Sequence, residues 1–505
     1  MKRKERYPLK DYRLAVLVCT LTMIVFAGGT TQAQNAGRTK PARPNVVLMV
    51  GDNVGYGDIG AYQGGAIRGM PTPRIDKLAS EGLQLTHFLT EPGCTPSRAG
   101  LLLGRYAHRA GLGGIIVGGT PNTLQASEVT LGELFKSRGY ATAIIGKWHL
   151  GAEKQSWPVR QGFDEYRVGV LETTDSTLYR PTMSRAGMPK QVIERTVPWI
   201  WEGDTKRGLR KVREYTVAYR RLIERDIAIA AVNYIRRQAA AKKPFFLYIG
   251  WTNSHYPSVS APEFTGKSRS GPYGDAIMEL DRRTGEVLNA IKAAGIEKNT
   301  IVIWLSDDGA APMMGPPAYR GGSNGIYGGE LGDGKEGGLR TPAIIKWPGR
   351  IAPRKSNEMV SIHDIFPTLA RLIGAKVPAD RPIDGVDQSD FFLGKRAKSK
   401  REGVITFIGT EIVAVRWRHF RIYPMAFFRS PGRPAMPGLG GSRAELNGIP
   451  AIYNIEQDPR EEQNIAANHA WLVRPYLLTI GAYLKSLKKH PNPAPVNLTD
   501  FKPRR

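Results

Sequence analysis

Four stretches of the chain are continuously apolar and end in polar residues. They are residues 45–50, 141–145, 245–251 and 300–305, and aliphatic and aromatic side chains dominate them. Uninterrupted apolar runs of this length are typical of strands that are covered on both faces, as in a parallel sheet. The pattern therefore predicts four buried strands.

Helical periodicity occupies much of the chain between these runs. Apolar residues recur at three- and four-residue spacing in residues 75–81, 131–137, 223–237 and 277–292. Glycines that can end a helix follow three of these segments, at positions 82, 139 and 295. Alternation of strand and helix predicts an α/β fold with a doubly wound, mainly parallel sheet.

The polar residues that follow the four strands carry most of the candidate chemistry. In chain order they are Asp52, Asn53, Lys147, His149, His255, Asp307 and Asp308. In doubly wound sheets, ligands bind beyond the carboxyl ends of the strands. We therefore expect these four polar clusters to converge on one site.

The pattern changes near residue 381. Short alternating or β-branched runs at 404–407, 412–417 and 419–423 precede a helical stretch at 472–487. This predicts a smaller C-terminal α+β domain with an antiparallel sheet, residues 381–505, after an α/β domain at 34–380. The segments 172–214 and 424–448 lack clear periodicity and are expected to be loops that could line a cleft.

The N-terminus has the pattern of an export signal. A basic stretch at 1–13 precedes an apolar run at 14–26, and T-Q-A at 31–33 offers a cleavage site. Residues 1–33 are thus predicted to be a signal peptide, which places the mature protein in the periplasm or outside the cell. The alternative is an uncleaved membrane anchor, but the run is shorter than the ~20 apolar residues that a span needs. No other segment is expected to cross a membrane.

Cleavage after residue 33 would leave Cys94 as the one cysteine of the mature chain. Such a protein has no internal disulfide. A lone thiol in an oxidising compartment is a liability unless it is buried, reactive or modified. Cys94 is therefore the first residue whose presence needs a chemical explanation.

The segment around Cys94 carries a family resemblance. It reads C-T-P-S-R at 94–98 and L-L-L-G-R at 101–105, which resembles the signature of the sulfatase family, in which the cysteine is oxidised to formylglycine. Further blocks similar to the family occur in the right order, at 52–58, 72–79, 146–151, 341–349, 366–369, 381–386 and 453–459. The resemblance covers most of the chain and implies an arylsulfatase-type enzyme that cleaves sulfate monoesters, either aryl sulfates or sulfated carbohydrates.

The modification has a physical reason. A serine or cysteine that attacked sulfur would form a sulfated intermediate whose release needs a well-placed water. A hydrated aldehyde carries two hydroxyls: one attacks sulfur, and the other expels sulfate as the aldehyde re-forms. The resemblance also implies a maturation enzyme that generates formylglycine from Cys94. Without the motif, Cys94 would be read as a small buried apolar side chain.

The resemblance assigns metal-binding roles to Asp52, Asn53, Asp307 and Asp308. Oxygen donors without thiolate or imidazole favour calcium, with magnesium as the alternative. The family usually has two aspartates in the first pair and Asp-Asn in the second, whereas this chain has Asn53 and Asp308. The two changes offset each other and leave three carboxylates and one amide. The alternative is that these residues serve turns or helix caps.

The resemblance assigns the remaining roles to four side chains. Lys147 and His255 would contact the sulfate or the leaving oxygen, and His149 would hold the second hydroxyl of the nucleophile. Arg98 would hold the modified residue from a helix predicted at 97–103, whose N-terminus favours anions. A leaving alkoxide or phenoxide needs a proton or a cation, which histidine can supply near neutral pH. The other histidines, at 87, 108, 363, 419, 469 and 490, are expected to be structural.

One family feature is displaced. A lysine often lies about five residues before the E-G-G block at 336–338, but Leu331 holds that place and Lys335 directly precedes the block. Either the loop brings Lys335 into the site or that contact is missing.

The chain is strongly basic, with a formal net charge of +27. Residues 1–33 carry six Lys/Arg and two Asp/Glu, so their removal leaves +23. Two explanations remain open: a polyanionic partner such as a sulfated glycan or an anionic envelope surface, or solubility alone. Nucleic acid is not an expected partner of an exported protein.

Two other functions remain to be weighed. A phosphonate or phosphate ester hydrolase could use the same scaffold, since tetrahedral anions resemble one another in shape. A non-catalytic polyanion-binding protein could also keep the fold, although the nucleophile and every metal position are present.

Overall fold

The computed structural model describes residues 43–117, 120, 122–311, 321–428, 442–445 and 450–494. The strands are β1 (Asn45–Gly51), β2 (Leu83–Leu89), β3 (Ala141–Lys147), β4 (Glu165–Val170), β5 (Trp199–Asp204), β6 (Gly208–Glu214), β7 (Phe245–Gly250), β8 (Thr300–Ser306), β9 (Arg340–Lys346), β10 (Arg354–Ser356), β11 (Val360–Ser361), β12 (Gly403–Ile408), β13 (Glu411–Trp417), β14 (Phe420–Tyr423), β15 (Met425–Phe428), β16 (Ser442–Glu445) and β17 (Ala451–Asn454). The α-helices are α1 (Pro73–Ser80), α2 (Cys94–Leu103), α3 (Leu131–Ser137), α4 (Tyr179–Arg185), α5 (Lys190–Thr196), α6 (Val217–Arg220), α7 (Ile223–Ala240), α8 (Gly271–Ala293), α9 (Glu336–Leu339), α10 (Ile365–Ile373), α11 (Ser389–Phe392) and α12 (Val473–Lys489).

Strands β1 to β11 form one large mixed sheet in the order β10-β2-β9-β8-β1-β7-β3-β4-β5-β6, with β11 also pairing with β2. The centre, β8-β1-β7-β3-β4, is parallel throughout. Strand β9 runs antiparallel to β8 and β2, and β5 and β6 are antiparallel at the other end. Parallel strands need crossover connections, and the intervening helices supply them.

Helices cover both faces of this sheet. Alternate residues of β1 point to opposite faces, so Val46, Leu48 and Val50 join one apolar core while Val47 and Met49 join the other. The first core includes residues of α2, α3 and α10, and the second includes residues of α1, α7 and α8. The predicted doubly wound, mainly parallel α/β fold is confirmed.

A separate antiparallel sheet follows in the order β12-β13-β14-β17, and α12 packs against it through Tyr483 and half-buried apolar side chains. This confirms the antiparallel sheet predicted for the C-terminal part. The domain boundaries at residues 34 and 380 stay predictions. Among the described helices, none is long and apolar enough to span a membrane, and the predicted signal peptide at 1–33 lies outside the described residues.

The prediction of a loop at 172–214 is wrong. This segment contains α4, α5 and the antiparallel strands β5 and β6, which extend the large sheet. The sequence signal is weak because β6 (G-L-R-K-V-R-E) is an edge strand with mostly exposed side chains, so it shows no buried stripe. In 424–448, β15 and β16 pair with each other where a loop was predicted; residues 429–441 and 446–448 lie outside the described residues.

Candidate active site

The carboxyl ends of four adjacent parallel strands meet at one edge of the large sheet. Strands β8, β1, β7 and β3 are neighbours, as their hydrogen-bonded registers show. The sequence-predicted residues at or after these strand ends are all buried: Asp52, Asn53, Lys147, His149, His255, Asp307 and Asp308. The predicted convergence of the four polar clusters is therefore observed.

Close approach between two of these strands depends on glycine. A Cβ on Gly146 would lie 2.1 Å from the carbonyl oxygen of Gly250, and Gly146 has a φ of +94° that disfavours other residues. Gly146 directly precedes Lys147. Glycine here lets β3 and β7 bring their polar ends together.

Cys94 is the first residue of helix α2. The helix begins three residues earlier than the predicted 97–103, because Gly93 precedes it with a φ of +144° that only glycine adopts readily. Cys94 is buried, and its Sγ lies 3.5 Å from Oδ1 of Asp52 and 3.5 Å from Oδ1 of Asn53. Burial, and then the charge of Asp308, raise the pKa of the Cys94 thiol well above its ordinary value. Residue 94 thus faces the metal-type cluster from a helix N-terminus, where partial positive charge favours anions.

Arg98 lies one helical turn after Cys94 and is fully buried. Its Nε donates to Oδ2 of Asp307 at 2.8 Å, and its NH1 donates to the carbonyl oxygen of Lys147 at 3.1 Å and to the Tyr248 hydroxyl at 3.2 Å. Burial alone would lower the pKa of Arg98, but its anionic neighbours raise it. The guanidinium therefore stays charged and ties α2 to β3, β7 and β8.

Lys147 and Asp52 form a buried ion pair. Nζ lies 2.8 Å from both carboxylate oxygens of Asp52, and Oδ2 also accepts a hydrogen bond from the Thr174 hydroxyl at 2.8 Å. Burial by itself would raise the pKa of Asp52, but Lys147, His255 and Arg98 together hold it well below its ordinary value. Asp52 is an anion in this arrangement.

His149 is fully buried and has an unusual backbone with a φ of +60°. Its Nε2 donates to the carbonyl oxygen of Ile116 at 2.8 Å, whereas Nδ1 has no hydrogen-bond partner among the described residues. Burial and then Lys147 hold the pKa of His149 well below its ordinary value. The ring is therefore neutral, and Nδ1 is left as an acceptor for a hydroxyl.

His255 comes from the loop after β7. Its Nδ1 donates to the carbonyl oxygen of Tyr256 at 2.6 Å, so Nε2 is the ring nitrogen that is available to a substrate. A ring nitrogen of His255, Sγ of Cys94 and a carboxylate oxygen of Asp52 all lie within 4.8 Å of one another. His255 is thus close enough to serve a group that reacts at residue 94.

The donor set fits a hard divalent cation. Sγ of Cys94 and carboxylate oxygens of Asp307 and Asp308 lie within 4.8 Å of one another. Two oxygens on one calcium lie at most about 5 Å apart, which is twice the usual Ca–O distance. Neither oxygen of Asp308 accepts a hydrogen bond from a nitrogen or oxygen donor in the described part of the chain, although the residue is fully buried. Buried polar atoms without partners are rare in folded proteins, and a bound cation would satisfy these two.

Electrostatics points the same way. Burial, Asp307 and Asp52 raise the pKa of Asp308 well above its ordinary value, and burial also raises that of Asp307. Three carboxylates face the two cations Arg98 and Lys147. A divalent cation would relieve the excess negative charge and bring the local sum to +1.

Asn53 contacts both Asp307 and Cys94. Its backbone N–H donates to Oδ1 of Asp307 at 3.1 Å, and its φ is +59°. Asparagine adopts this left-handed conformation more readily than most residues. Oδ1 of Asn53 and a carboxylate oxygen of Asp308 both lie near Sγ of Cys94, so the two residues of the exchanged-pair hypothesis belong to one cluster.

Two contacts to the site were missed in the sequence. Thr174 reaches Asp52 from the segment taken for a loop, and Tyr248 reaches Arg98 from the apolar interior of β7. Neither has a local signal in the sequence; Tyr248, for example, has the pattern of a core residue of a strand.

Lys335 is half-buried. Its backbone N–H donates to Asp333, and burial raises the pKa of Asp333 to about 6.

Comparison with known proteins supports the resemblance. The chain matches the sulfatase family over residues 44–375. It is 32% identical to the steryl-sulfatase of Mus musculus, covering 96% of this chain and 88% of that protein. It is 34% identical to the arylsulfatase A of Homo sapiens, with 85% of each covered. The crystal structure of the PsFucS1 sulfatase from Pseudoalteromonas sp. has a TM-score of 0.83 at 30% identity, covering 89% of this chain and 92% of that one.

Proposed function

The chain belongs to the sulfatase family and is a hydrolase of sulfate esters, and we propose that it acts through a formylglycine made from Cys94 beside a calcium ion. The observation that carries the proposal is the position of residue 94. It begins a buried helix and lies 3.5 Å from side-chain oxygens of both Asp52 and Asn53. A hydrate at this position supplies one hydroxyl that attacks sulfur and a second whose deprotonation releases sulfate.

Calcium, when bound by Asp52, Asn53, Asp307 and Asp308, supplies positive charge that stabilises an anion at residue 94 and an oxygen of the sulfate. Magnesium is the alternative. The three carboxylates and one amide are the oxygen donors that such ions prefer.

Arg98 and Lys147 hold the anionic partners in place. Arg98 bridges Asp307 and the backbone of Lys147, while the ammonium of Lys147 lies on Asp52 at the edge of the cluster. Fixed cations that need not reorganise stabilise charge as it develops in the transition state. The family resemblance assigns Lys147 to a sulfate or leaving oxygen and Arg98 to the modified residue 94, and we propose the same roles here.

The two histidines divide the proton transfers. Nδ1 of His149 is the unprotonated nitrogen and accepts the hydrogen of the second hydroxyl at residue 94. His255, whose Nδ1–H is bound to the Tyr256 carbonyl, acts as an imidazolium that gives its Nε2 proton to the leaving oxygen as the S–O bond breaks, and the ring is left neutral.

The substrate is proposed as an aryl sulfate or a sulfated carbohydrate. The similar proteins are named for steryl, aryl and other sulfate esters, so the names alone do not distinguish between the two substrate classes. The basic mature chain favours an anionic, polymeric substrate or surroundings. We also propose export to the periplasm or beyond, cleavage after residue 33, and a maturation enzyme that oxidises Cys94.

A substrate panel tests the reaction class. We expect kcat/KM for aryl sulfates to exceed that for matched aryl phosphonates and phosphodiesters by at least about 100-fold, because both phosphorus esters carry a second substituent on the central atom where a sulfate monoester has only an oxygen. Higher turnover of the phosphonate or phosphodiester would make the chain an ester hydrolase of that class instead. Tight binding of sulfated glycans without turnover of any ester would identify a polyanion-binding protein.

A further inference from the structure

A buried ion pair contacts the loop that carries His255. Arg220, the last residue of α6, and Glu224, in the first turn of α7, are 0% and 1% exposed. NH1 of Arg220 lies 3.8 Å from Oε1 of Glu224. A buried ion pair gains little stability over well-packed apolar side chains, because both charges lose their hydration. The pair therefore needs an explanation other than stability.

The carboxylate of Glu224 binds the beginning of the loop. Its Oε1 accepts hydrogen bonds from the backbone N–H of Thr252 at 2.8 Å and of Asn253 at 2.9 Å, and from the Thr252 hydroxyl. These N–H groups are consecutive and come directly after β7 and Trp251. One charged oxygen thus fixes the direction in which the chain leaves the sheet, since charge-assisted hydrogen bonds are the strong ones.

The guanidinium of Arg220 binds the same loop on its carbonyl side. NH2 donates to the carbonyl oxygen of Thr252 and to the side-chain oxygen of Asn253, both at 2.8 Å, and the carbonyl oxygen of His255 lies at 3.4 Å. Nε and NH1 make no hydrogen bond within the described residues. All the hydrogen bonds that the structure gives this guanidinium therefore go to residues 252–255.

The loop of residues 252–255 also contacts Asp52. The backbone N–H of Asp52 donates to the carbonyl oxygen of Asn253 at 3.0 Å, and the N–H of Ser254 donates to the carbonyl oxygen of Asp52 at 2.7 Å. With its backbone held from both sides and Nδ1 bound to the Tyr256 carbonyl, His255 keeps little freedom in the direction of Nε2.

We propose that Arg220 and Glu224 are positioning residues that hold His255 in the orientation in which Nε2 meets the leaving oxygen. This rests on the role proposed above for His255 in protonating the leaving group. A displacement of about 1 Å at a reacting group can cost on the order of 100-fold in rate. The effect should depend on the substrate, because a strongly acidic phenol departs as an anion without a proton and a weakly acidic phenol does not.

Arg220→Lys tests this, because the single nitrogen of lysine cannot both lie beside Glu224 and bind the acceptors of residues 252–255, as NH1 and NH2 of arginine do. We measure kcat/KM of the matured, calcium-loaded full chain for a series of aryl sulfates with phenols of graded acidity. We expect a loss on the order of 10- to 100-fold for the least acidic phenols and less than about threefold for the most acidic. Glu224→Gln, which keeps the shape and one oxygen acceptor, should give the same gradient at smaller amplitude.

Two comparisons separate positioning from a general loss of packing. Arg283→Lys is the matched control: Arg283 is buried and pairs with Glu279 at 3.2 Å one turn away, but Glu279 binds the backbone of Ala261. The loss of kcat/KM in Arg283→Lys should therefore not depend on the acidity of the phenol. In the His255→Ala background, Arg220→Lys should cause less than about a further threefold loss, since residues that act through one another are not additive.

Equal losses across the phenol series for both Arg220→Lys and Glu224→Gln, while His255→Ala shows the gradient, would overturn the positioning role and leave the proposed function intact. Full additivity with His255→Ala would do the same. If His255→Ala itself shows no gradient, both the leaving-group role of His255 and the positioning proposal fail, although sulfatase turnover through residue 94 would still stand.

Discussion

Nζ of Lys147 lies 2.8 Å from both carboxylate oxygens of Asp52, and both side chains are fully buried. The ammonium therefore neutralises a residue that is also assigned to the metal. Lysine and a divalent cation act on the same carboxylate, so the loss of one should strengthen the dependence on the other.

Lys147→Met should destabilise the metal-free protein by roughly 3–5 kcal/mol, because it leaves Asp52 without its main buried counter-charge. The calcium-loaded variant should lose less, since the ion supplies charge at the same carboxylate. Urea unfolding with chelator and with saturating calcium measures both values. Equal destabilisation in the two conditions would show that Asp52 does not bind the metal.

Cys94→Ala should abolish turnover, with a loss of roughly 10⁴-fold or more, because it removes the nucleophile. The fold should persist, since one small atom at the start of α2 is lost and the hydrogen bonds of Ser97 and Arg98 remain. Aryl sulfate hydrolysis and thermal unfolding check the two parts. Aryl sulfate turnover near that of the unchanged protein would disprove the nucleophile.

Chelation should remove activity, and calcium should restore it better than zinc, because the side chains of the four assigned ligands offer only oxygen donors. Metal analysis of the purified protein should find about one alkaline-earth ion for each chain. Full activity after exhaustive chelation, in protein with no detectable metal, would contradict the site.

The exchanged pair can be tested by a double-mutant cycle. Asn53→Asp adds a fourth carboxylate and should repel the sulfate, whereas Asp308→Asn leaves two carboxylates and should weaken metal binding. The double variant restores three. If both residues bind one ion, its activity should exceed the product of the single effects by a coupling of about 1–3 kcal/mol. Strict additivity would show that Asn53 and Asp308 do not share a metal.

The sequence predicted the parts of the fold that bury continuous apolar surface. Strands β1, β3, β7 and β8 and helices α3 and α7 lie within a few residues of the predicted segments. Because the polar residues follow directly after those strands, their convergence followed from topology alone. Motif resemblance, and not periodicity, supplied their individual roles.

Other features leave no such trace. Edge strand β6 exposes most of its side chains, so it lacks the alternation that marks a half-buried strand. Thr174 and the Arg220–Glu224 pair reach the site through contacts between residues far apart in the chain. A buried arginine in a helix cannot be distinguished from an exposed one by sequence alone, since the residues adjacent to it in the chain can be the same in both cases.

The mass of the peptide that contains Cys94 tests the proposed nucleophile most directly. The chain should be produced together with a formylglycine-generating enzyme, denatured, digested and measured beside the same peptide from Cys94→Ser protein. Formylglycine makes the peptide about 18 Da lighter than unmodified cysteine, because the side chain loses sulfur and two hydrogens and gains one aldehyde oxygen. We expect the lighter species to rise in proportion to specific activity from one preparation to the next. Full sulfatase activity in protein whose residue 94 is entirely unmodified cysteine would contradict the formylglycine mechanism.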